Sequence, residues 1–417
     1  MENNKAKEQV IAAGNRLIEK GLIVRTWGNI SCRINDNQFV ITPSGKSYET
    51  LTAKEIVIVN INDCSYEGSI EPSSEKKVHA AVYQQRPDIN FVIHTHQPYA
   101  SAVSPLGTDI TVSDPAAADL LGTKVISIPY ALSGTEKLKK NVAEAISYAK
   151  GKAYLMVSHG ALCLGQNCEE TFNIAFALEH ICADYINHRY LELSGENTFV
   201  PEALRDFFIK ISTGKSLTNN TSLTKLFNSE RIENGFRLHL EASETEPFPS
   251  EAQYMDINYQ DQINTWADEG HKLALNIHNE LYEEYPEINA IIHTLTPDIV
   301  AVSCTGQTVY PMLDDFAQII GVDAHTVDLA SSDKPETAVS DIAHQLKERG
   351  AVMLKELGAL CCGPNKSDAG AAEIILDKNC KAVIATTLFS KGKPINPHEA
   401  RIMRKNYLNS YSKKAEA

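Results

Sequence analysis

The chain has 417 residues, 43% of them hydrophobic, with 53 acidic against 39 basic side chains and a net charge of −14. At about 150 residues per domain this suggests two or three domains, and the negative balance argues against nucleic acid or an anionic membrane as partner. Nine cysteines without a Cys-x-x-Cys pair, no apolar N-terminal segment and no run long enough to cross a bilayer point to reduced thiols in a cytoplasmic protein, with neither signal peptide nor transmembrane helix expected.

In chain order, Val10, Ile11, Leu17 and Ile18 followed by Gly21 predict an amphipathic helix over 5–20 with a glycine stop. Thr26-Trp27-Gly28-Asn29-Ile30-Ser31 reads as a turn entering a strand. Residues 38–42 read as a strand running into the turn Pro43-Ser44-Gly45, and 56–61 as another strand. Ser73 and Ser74 precede the periodic positions Val78, Ala81 and Val82, so a serine N-cap is expected there. Gly28-Asn29, Ser44-Gly45 and Ser73-Ser74 together could form an anion cradle of neutral donors, or be three ordinary surface turns.

Phe91-Val92-Ile93 reads as a buried strand ending in His94-Thr95-His96. Residues i and i+2 of a strand share a face, so His94 and His96 can converge on one ion. A second apolar run, Tyr154 to Val157, ends at Ser158-His159-Gly160 and offers a third imidazole. Three imidazoles with an open or carboxylate-filled fourth position suit a catalytic zinc site, and Glu75 is the nearby carboxylate. Helices are expected over 115–121, 136–149 and 169–193, with a strand over 125–128. His79, His180 and His188 read as helix histidines, His79 with a supporting role near the metal as the alternative.

The second half repeats the first. Residues 83–110 and 282–309 align without a gap, with 12 identities in 28 positions, and SHGALCLG (158–165) matches ELGALCCG (356–363). A tandem duplication is the reading, with copies over 1–200 and 225–417 and a linker over 201–224 whose polar part is 212–222. The second copy keeps His293 opposite His94. It carries Leu295, Leu357 and Ala274 where the first has His96, His159 and Glu75, so it cannot hold the same ion and is expected to be non-catalytic.

The ordered set GNIS (28–31), TPSG (42–45), PSSE (72–75), HTH (94–96) and SHG (158–160) resembles the class II aldolase/adducin family over nearly all of residues 1–195. The resemblance implies an α/β three-layer fold around a largely antiparallel sheet, here duplicated. It implies Zn2+ or another divalent metal on Glu75, His94, His96 and His159, and substrate phosphate on Gly28, Asn29, Ser44, Gly45, Ser73 and Ser74. It implies Tyr130, in Pro129-Tyr130-Ala131-Leu132-Ser133-Gly134-Thr135, as a catalytic tyrosine reaching a neighbouring subunit, and Glu75 as the acid/base. The implied activity is cleavage of a phosphorylated ketose to dihydroxyacetone phosphate and an aldehyde. The implied assembly is a homo-oligomer, a dimer of tandem chains standing in for a tetramer or something larger. An epimerase, decarboxylase or dehydratase on the same metal is the alternative. Trp27 departs from the family's small residue and could alter the phosphate pocket.

Overall fold

The computed structural model describes residues 3–23, 27–195, 226–240, 248, 254–259, 269–329 and 335–411, so Thr26 and the expected linker 201–224 lie outside the described residues. The chain divides into two compact units, Met1–Arg189 with Ala385–Lys393 and Asn406–Ala417, and Tyr190–Ile384 with Pro394–Lys405.

The strands of the first unit are β1 (Gly28–Asn35), β2 (Gln38–Ile41), β3 (Val57–Asn60), β4 (Phe91–Thr95), β5 (Ile110–Thr111), β6 (Lys124–Ile128), β7 (Ala153–Met156) and β8 (Gly160–Gly165). They form one sheet in the order β3-β2-β1-β4-β8-β7-β6-β5, antiparallel throughout except where β6 pairs with β7. β4 lies between β1 and β8 and every one of its residues is buried, which is why it reads as a continuous apolar run instead of an alternating one. Helices α1 (Asn3–Glu19), α2 (Lys76–Gln85), α3 (Pro98–Val103), α4 (Pro115–Leu121), α5 (Glu136–Tyr148) and α6 (Cys168–Ser194) complete the unit. Val78 and Val82 of α2 and Leu138, Val142 and Ile146 of α5 share a core with Phe39, Ile41, Val92 and Tyr154 of the sheet. α1 ends as expected: Gly21 takes φ 66°, and the amides of Gly21 and Leu22 close on Ile18 and Leu17. One expectation fails. Glu75, not a serine, is the N-cap of α2, and it makes no side-chain cap bond, because its carboxylate is held elsewhere. Ser73 Oγ instead accepts from the Glu75 amide at 3.2 Å.

The second unit contains β9 (Asn228–Ile232), β10 (Gly235–His239), β11 (Tyr254–Asn258), β12 (Ala290–Thr294), β13 (Thr326–Val327), β14 (Ala351–Leu354) and β15 (Ala359–Gly363). Their order, β11-β10-β9-β12-β15-β14-β13, reproduces the first sheet strand for strand apart from β5, with the parallel pairing again at one place, β13 with β14. The duplication read from 28 aligned residues therefore extends to a whole α/β topology.

Two polar clamps recur with it. Arg33 on β1 gives its Nε to Ile89 O at 2.9 Å and Nη2 to Tyr83 O at 2.8 Å; Arg231 on β9 does the same to Ile288 O and Tyr282 O at 2.9 and 2.8 Å. Each guanidinium ties the first strand of its unit to the end of the helix that precedes the central strand. Beside it, Ser31 Oγ lies 2.6 Å from His79 Nδ1 and 2.7 Å from Tyr83 OH. Ser229 Oγ sits 2.7 Å from His278 Nδ1 and 2.8 Å from Tyr282 OH. All six residues are buried, so each polar group needs its partner.

Burial pushes His79 down to about 3, helped by His94 and opposed by Glu75, and pushes His278 down to about 4. Both are neutral in the folded chain, whereas unfolding frees them to take a proton below about 6.5. The unfolded state then binds more protons, so stability falls as pH drops below that value, by up to about 1.4 kcal/mol per pH unit per histidine. Urea unfolding of the second unit's signal between pH 7 and 5 should show a falling midpoint, and His278→Gln should flatten that slope.

Candidate metal centre

His94 is the fourth residue of β4, paired across the sheet with Asn29 on β1 and Leu162 on β8. His96 follows just beyond the strand end. His159 lies in the turn between β7 and β8, where Ser158 takes φ 58° and the His159 amide closes on Met156 O at 3.0 Å. Gly160 follows because a Cβ there would come within 2.3 Å of Thr95 O; only glycine lets the turn lie this close to β4.

The ligating atoms of His94, His96 and His159 all lie within 4.8 Å of one another. His94 Nε2 is 3.2 Å from His96 Nε2 and 3.0 Å from His159 Nε2. Glu75 closes the set, Oε2 at 3.0 Å from His94 Nε2 and Oε1 at 3.0 Å from His159 Nε2. In tetrahedral zinc with bonds of about 2.0–2.1 Å, neighbouring ligand atoms stand roughly 3.3 Å apart. His94 Nδ1 lies 2.8 Å from Ala161 O. A carbonyl only accepts, so Nδ1 carries the hydrogen and Nε2 turns a lone pair into the cluster. A lone pair facing a carboxylate and two further imidazoles calls for positive charge among them, and the donor set fits a divalent cation.

Glu75 is buried, and its carboxylate accepts two hydrogen bonds and faces two imidazoles. Asn29 Nδ2 donates to Oε2 at 3.0 Å, Ser133 Oγ donates to Oε1 at 3.0 Å, and His94 and His159 face one oxygen each. Burial raises this carboxyl, and positive charge where His94 and His159 face it outweighs burial and holds the group well below the usual carboxylate range. Behind Asn29, its Oδ1 meets His79 Nε2 at 2.5 Å. The hydrogens therefore run one way, from Tyr83 to Ser31 to His79 to Asn29 to Glu75. His79 thus supports the site at one remove, the alternative raised for it from the sequence.

The turns that carry Ser44 and Ser73 lie side by side, next to β1. Ser44 N bonds Glu71 O at 2.9 Å, Ser73 N bonds Thr42 O at 3.0 Å, and Thr42 N bonds Ile30 O at 3.1 Å. Pro43 and Pro72 bridge the two turns. Gly28 and Gly45 take φ 123° and 73°. Gly28, Ser44 and Gly45 are half-buried and Ser74 is exposed. Asn29 differs from expectation in one respect, since its side chain is directed to Glu75 and His79. Tyr130 is half-buried on the loop after β6, the loop that also carries Ser133. His180 and His188 are exposed. The sequence gives Ser133 no role of its own, although it lies in the 129–135 segment singled out for Tyr130. It also missed the clamp, although Ser31, His79 and Tyr83 recur as Ser229, His278 and Tyr282 at offsets of 198, 199 and 199.

In the second unit the histidine at the matching position, His293, turns to the backbone. His293 Nδ1 accepts from Leu226 N at 3.1 Å and its Nε2 donates to Leu357 O at 2.8 Å. The imidazole is satisfied by backbone, as expected for a structural histidine.

The family model of the class II aldolase and adducin N-terminal domain matches residues 8–186 and again 218–384. The chain belongs to this family. Among curated relatives, a 5-deoxy-D-ribulose 1-phosphate aldolase of Bacillus thuringiensis serovar kurstaki is 32% identical over 48% of this chain and 91% of its own length. The L-fuculose phosphate aldolase of Escherichia coli K12 is 37% identical over 45% of this chain and 85% of its own. A solved L-fuculose 1-phosphate aldolase covers 48% of this chain and 92% of its own, at 32% identity and a TM-score of 0.43. Each spans about half of this chain, as one copy of the repeat would.

Removing one imidazole leaves too few donors for tight binding. His96→Ala, purified with the metal it was expressed in, should lose bound divalent metal by at least tenfold per chain on elemental analysis while keeping the far-UV spectrum of the parent; a stoichiometric metal content would overturn the ligand assignment.

Proposed function

We propose that this class II aldolase reversibly cleaves a phosphorylated ketose, a deoxyhexulose or pentulose 1-phosphate, into dihydroxyacetone phosphate and a small aldehyde, using zinc. The observation that carries the reading is Glu75, a buried ionised carboxylate standing against three convergent imidazoles. The activities of the two curated relatives support the substrate class.

When bound, the metal ion supplies Lewis-acid stabilisation of the negative charge that develops on the ketose oxygens. His94, His96 and His159 would hold it, with Glu75 as the fourth group. In the condensation direction Glu75, ionised, takes a proton from the hydroxymethyl carbon of dihydroxyacetone phosphate. The electron pair of that C–H bond becomes the new C–C bond to the aldehyde, and Tyr130 gives the aldehyde oxygen its proton. Cleavage runs the same transfers backwards. Gly28, Ser44, Gly45, Ser73 and Ser74 would cradle the phosphate, Ser44 and Ser73 through their hydroxyls because their amides are bonded to Glu71 O and Thr42 O, with Asn29 at the border between cradle and metal. A neutral cradle suits a chain of net charge −14, which must gather its anion locally.

Residues 1–200 are the catalytic domain in this reading, 201–224 the linker, and 225–417 a non-catalytic domain whose His293, at the position of His94, is bonded to backbone groups. The protein works in the cytoplasm as a homo-oligomer. Its nine free cysteines support the compartment, and among the described residues no helix is long and apolar enough to cross a membrane.

Zinc-loaded protein in heavy water should wash one deuterium into dihydroxyacetone phosphate, read by proton NMR without any aldehyde present. Glu75→Gln should slow that exchange by 100-fold or more. Absence of exchange from fully metal-loaded parent protein would sink the aldolase reading.

A further inference from the structure

Ser133 lies three residues after Tyr130, in a segment singled out only for that tyrosine, and its hydroxyl reaches the carboxylate at the centre. We infer that Ser133 is a positioning residue for Glu75: its hydroxyl donates to Oε1 and fixes the direction in which that carboxylate faces, both when it completes the metal centre and when it turns to the substrate carbon.

The geometry of the loop carries this. Ser133 Oγ is 3.0 Å from Glu75 Oε1, the oxygen that also faces His159. The loop is not free to drift. Asn141 Nδ2 donates to Pro129 O at 2.9 Å, and Thr135 Oγ1 donates to Leu132 O at 2.6 Å while accepting from Leu138 N at 3.3 Å at the start of α5. Gly134 takes φ 75°, a left-handed conformation that favours glycine, and lies in van der Waals range of Ser74 O. Lys77 on α2 and Glu136 on α5 pair at 2.5 Å across the same junction. A residue pinned on both sides and aimed at a buried carboxylate is held by structure, not by chance contact.

The two carboxylate oxygens are thus treated differently. Oε2 receives the amide of Asn29, which is locked to His79. Oε1 receives a hydroxyl on a single rotatable bond. A carboxylate with one rigid donor and one swivelling donor can rotate about the rigid one, and the serine hydroxyl can follow it without leaving it unpaired. Ser133 therefore supports both positions of Glu75, whereas Asn29 anchors it. The part of this that concerns the substrate carbon rests on the aldolase reading above; the part that concerns the metal centre does not.

The test uses the full chain. Ser133→Ala should weaken zinc binding about tenfold in competition with a chelator, and the same substitution in a Glu75→Ala background should change it less than twofold, because the serine acts through the carboxylate. In the exchange assay with dihydroxyacetone phosphate, Ser133→Ala should lower kcat about 10-fold or more at unchanged KM, and Ser133→Thr, which keeps the hydroxyl, should restore it to within about threefold. An equal loss of zinc affinity with and without Glu75 would overturn the inference, as would a Ser133→Ala enzyme with parental affinity. If parental protein shows no exchange at all, the aldolase reading fails, and the zinc double-mutant comparison still decides whether Ser133 positions Glu75.

Discussion

The buried Glu75 carboxylate is the constraint around which the first unit is arranged. A charge removed from water must be neutralised and hydrogen-bonded, or its desolvation would cost several kcal/mol. Here β1 supplies Asn29, β4 supplies His94, the β7–β8 turn supplies His159, and the loop after β6 supplies Ser133. Four separated stretches of sequence thus meet on two oxygens. The sheet order makes this possible, because β4 lies between β1 and β8 and brings its own end, the GNIS strand and the SHG turn side by side. The same need explains the irregular start of α2, where Glu75 occupies the N-cap position and spends its side chain on the centre, so that Ser73 provides the local bond to the backbone.

The outer layer follows from the inner one. Asn29 can donate to Glu75 only if its amide is the right way round, and His79 sets that by presenting an N–H to Asn29 Oδ1. His79 can do so only as the neutral tautomer protonated on Nε2, which Ser31 and Tyr83 enforce from the other side of the ring. Burial keeps the imidazole neutral. A directed chain of this kind leaves one arrangement of hydrogens, which is what a site needs if its carboxylate is to face a fixed direction.

Much of the architecture was legible in the sequence. The strand over Phe91–Thr95 and the glycine stop at Gly21 are short-range signals and appear as expected; His94 and His96 come together although His96 lies just past the strand end. The duplication was readable because residues 83–110 and 282–309 share enough identities without a gap. What stayed hidden depends on contacts between distant positions. Ser133 and Glu75 are 58 residues apart, and Ser31 and His79 are 48 apart. No period or local motif encodes such pairs; only the sheet order brings them together. The serine N-cap was misread for a related reason, since capping preference is local and the pull of the imidazoles on Glu75 is not.

The Ser–His–Tyr clamp gains a different meaning from its presence in both units. In the second unit Ser229, His278 and Tyr282 keep the same bonds, while His278 Nε2 is met by the carbonyl of Leu226 at 2.7 Å in place of an asparagine. No carboxylate follows, yet the strand order is the same. The second unit therefore shows the same strand order and clamp with backbone partners where the first unit has its cluster. The clamp is common to both units and so belongs to the scaffold; in the first unit one asparagine links it to Glu75.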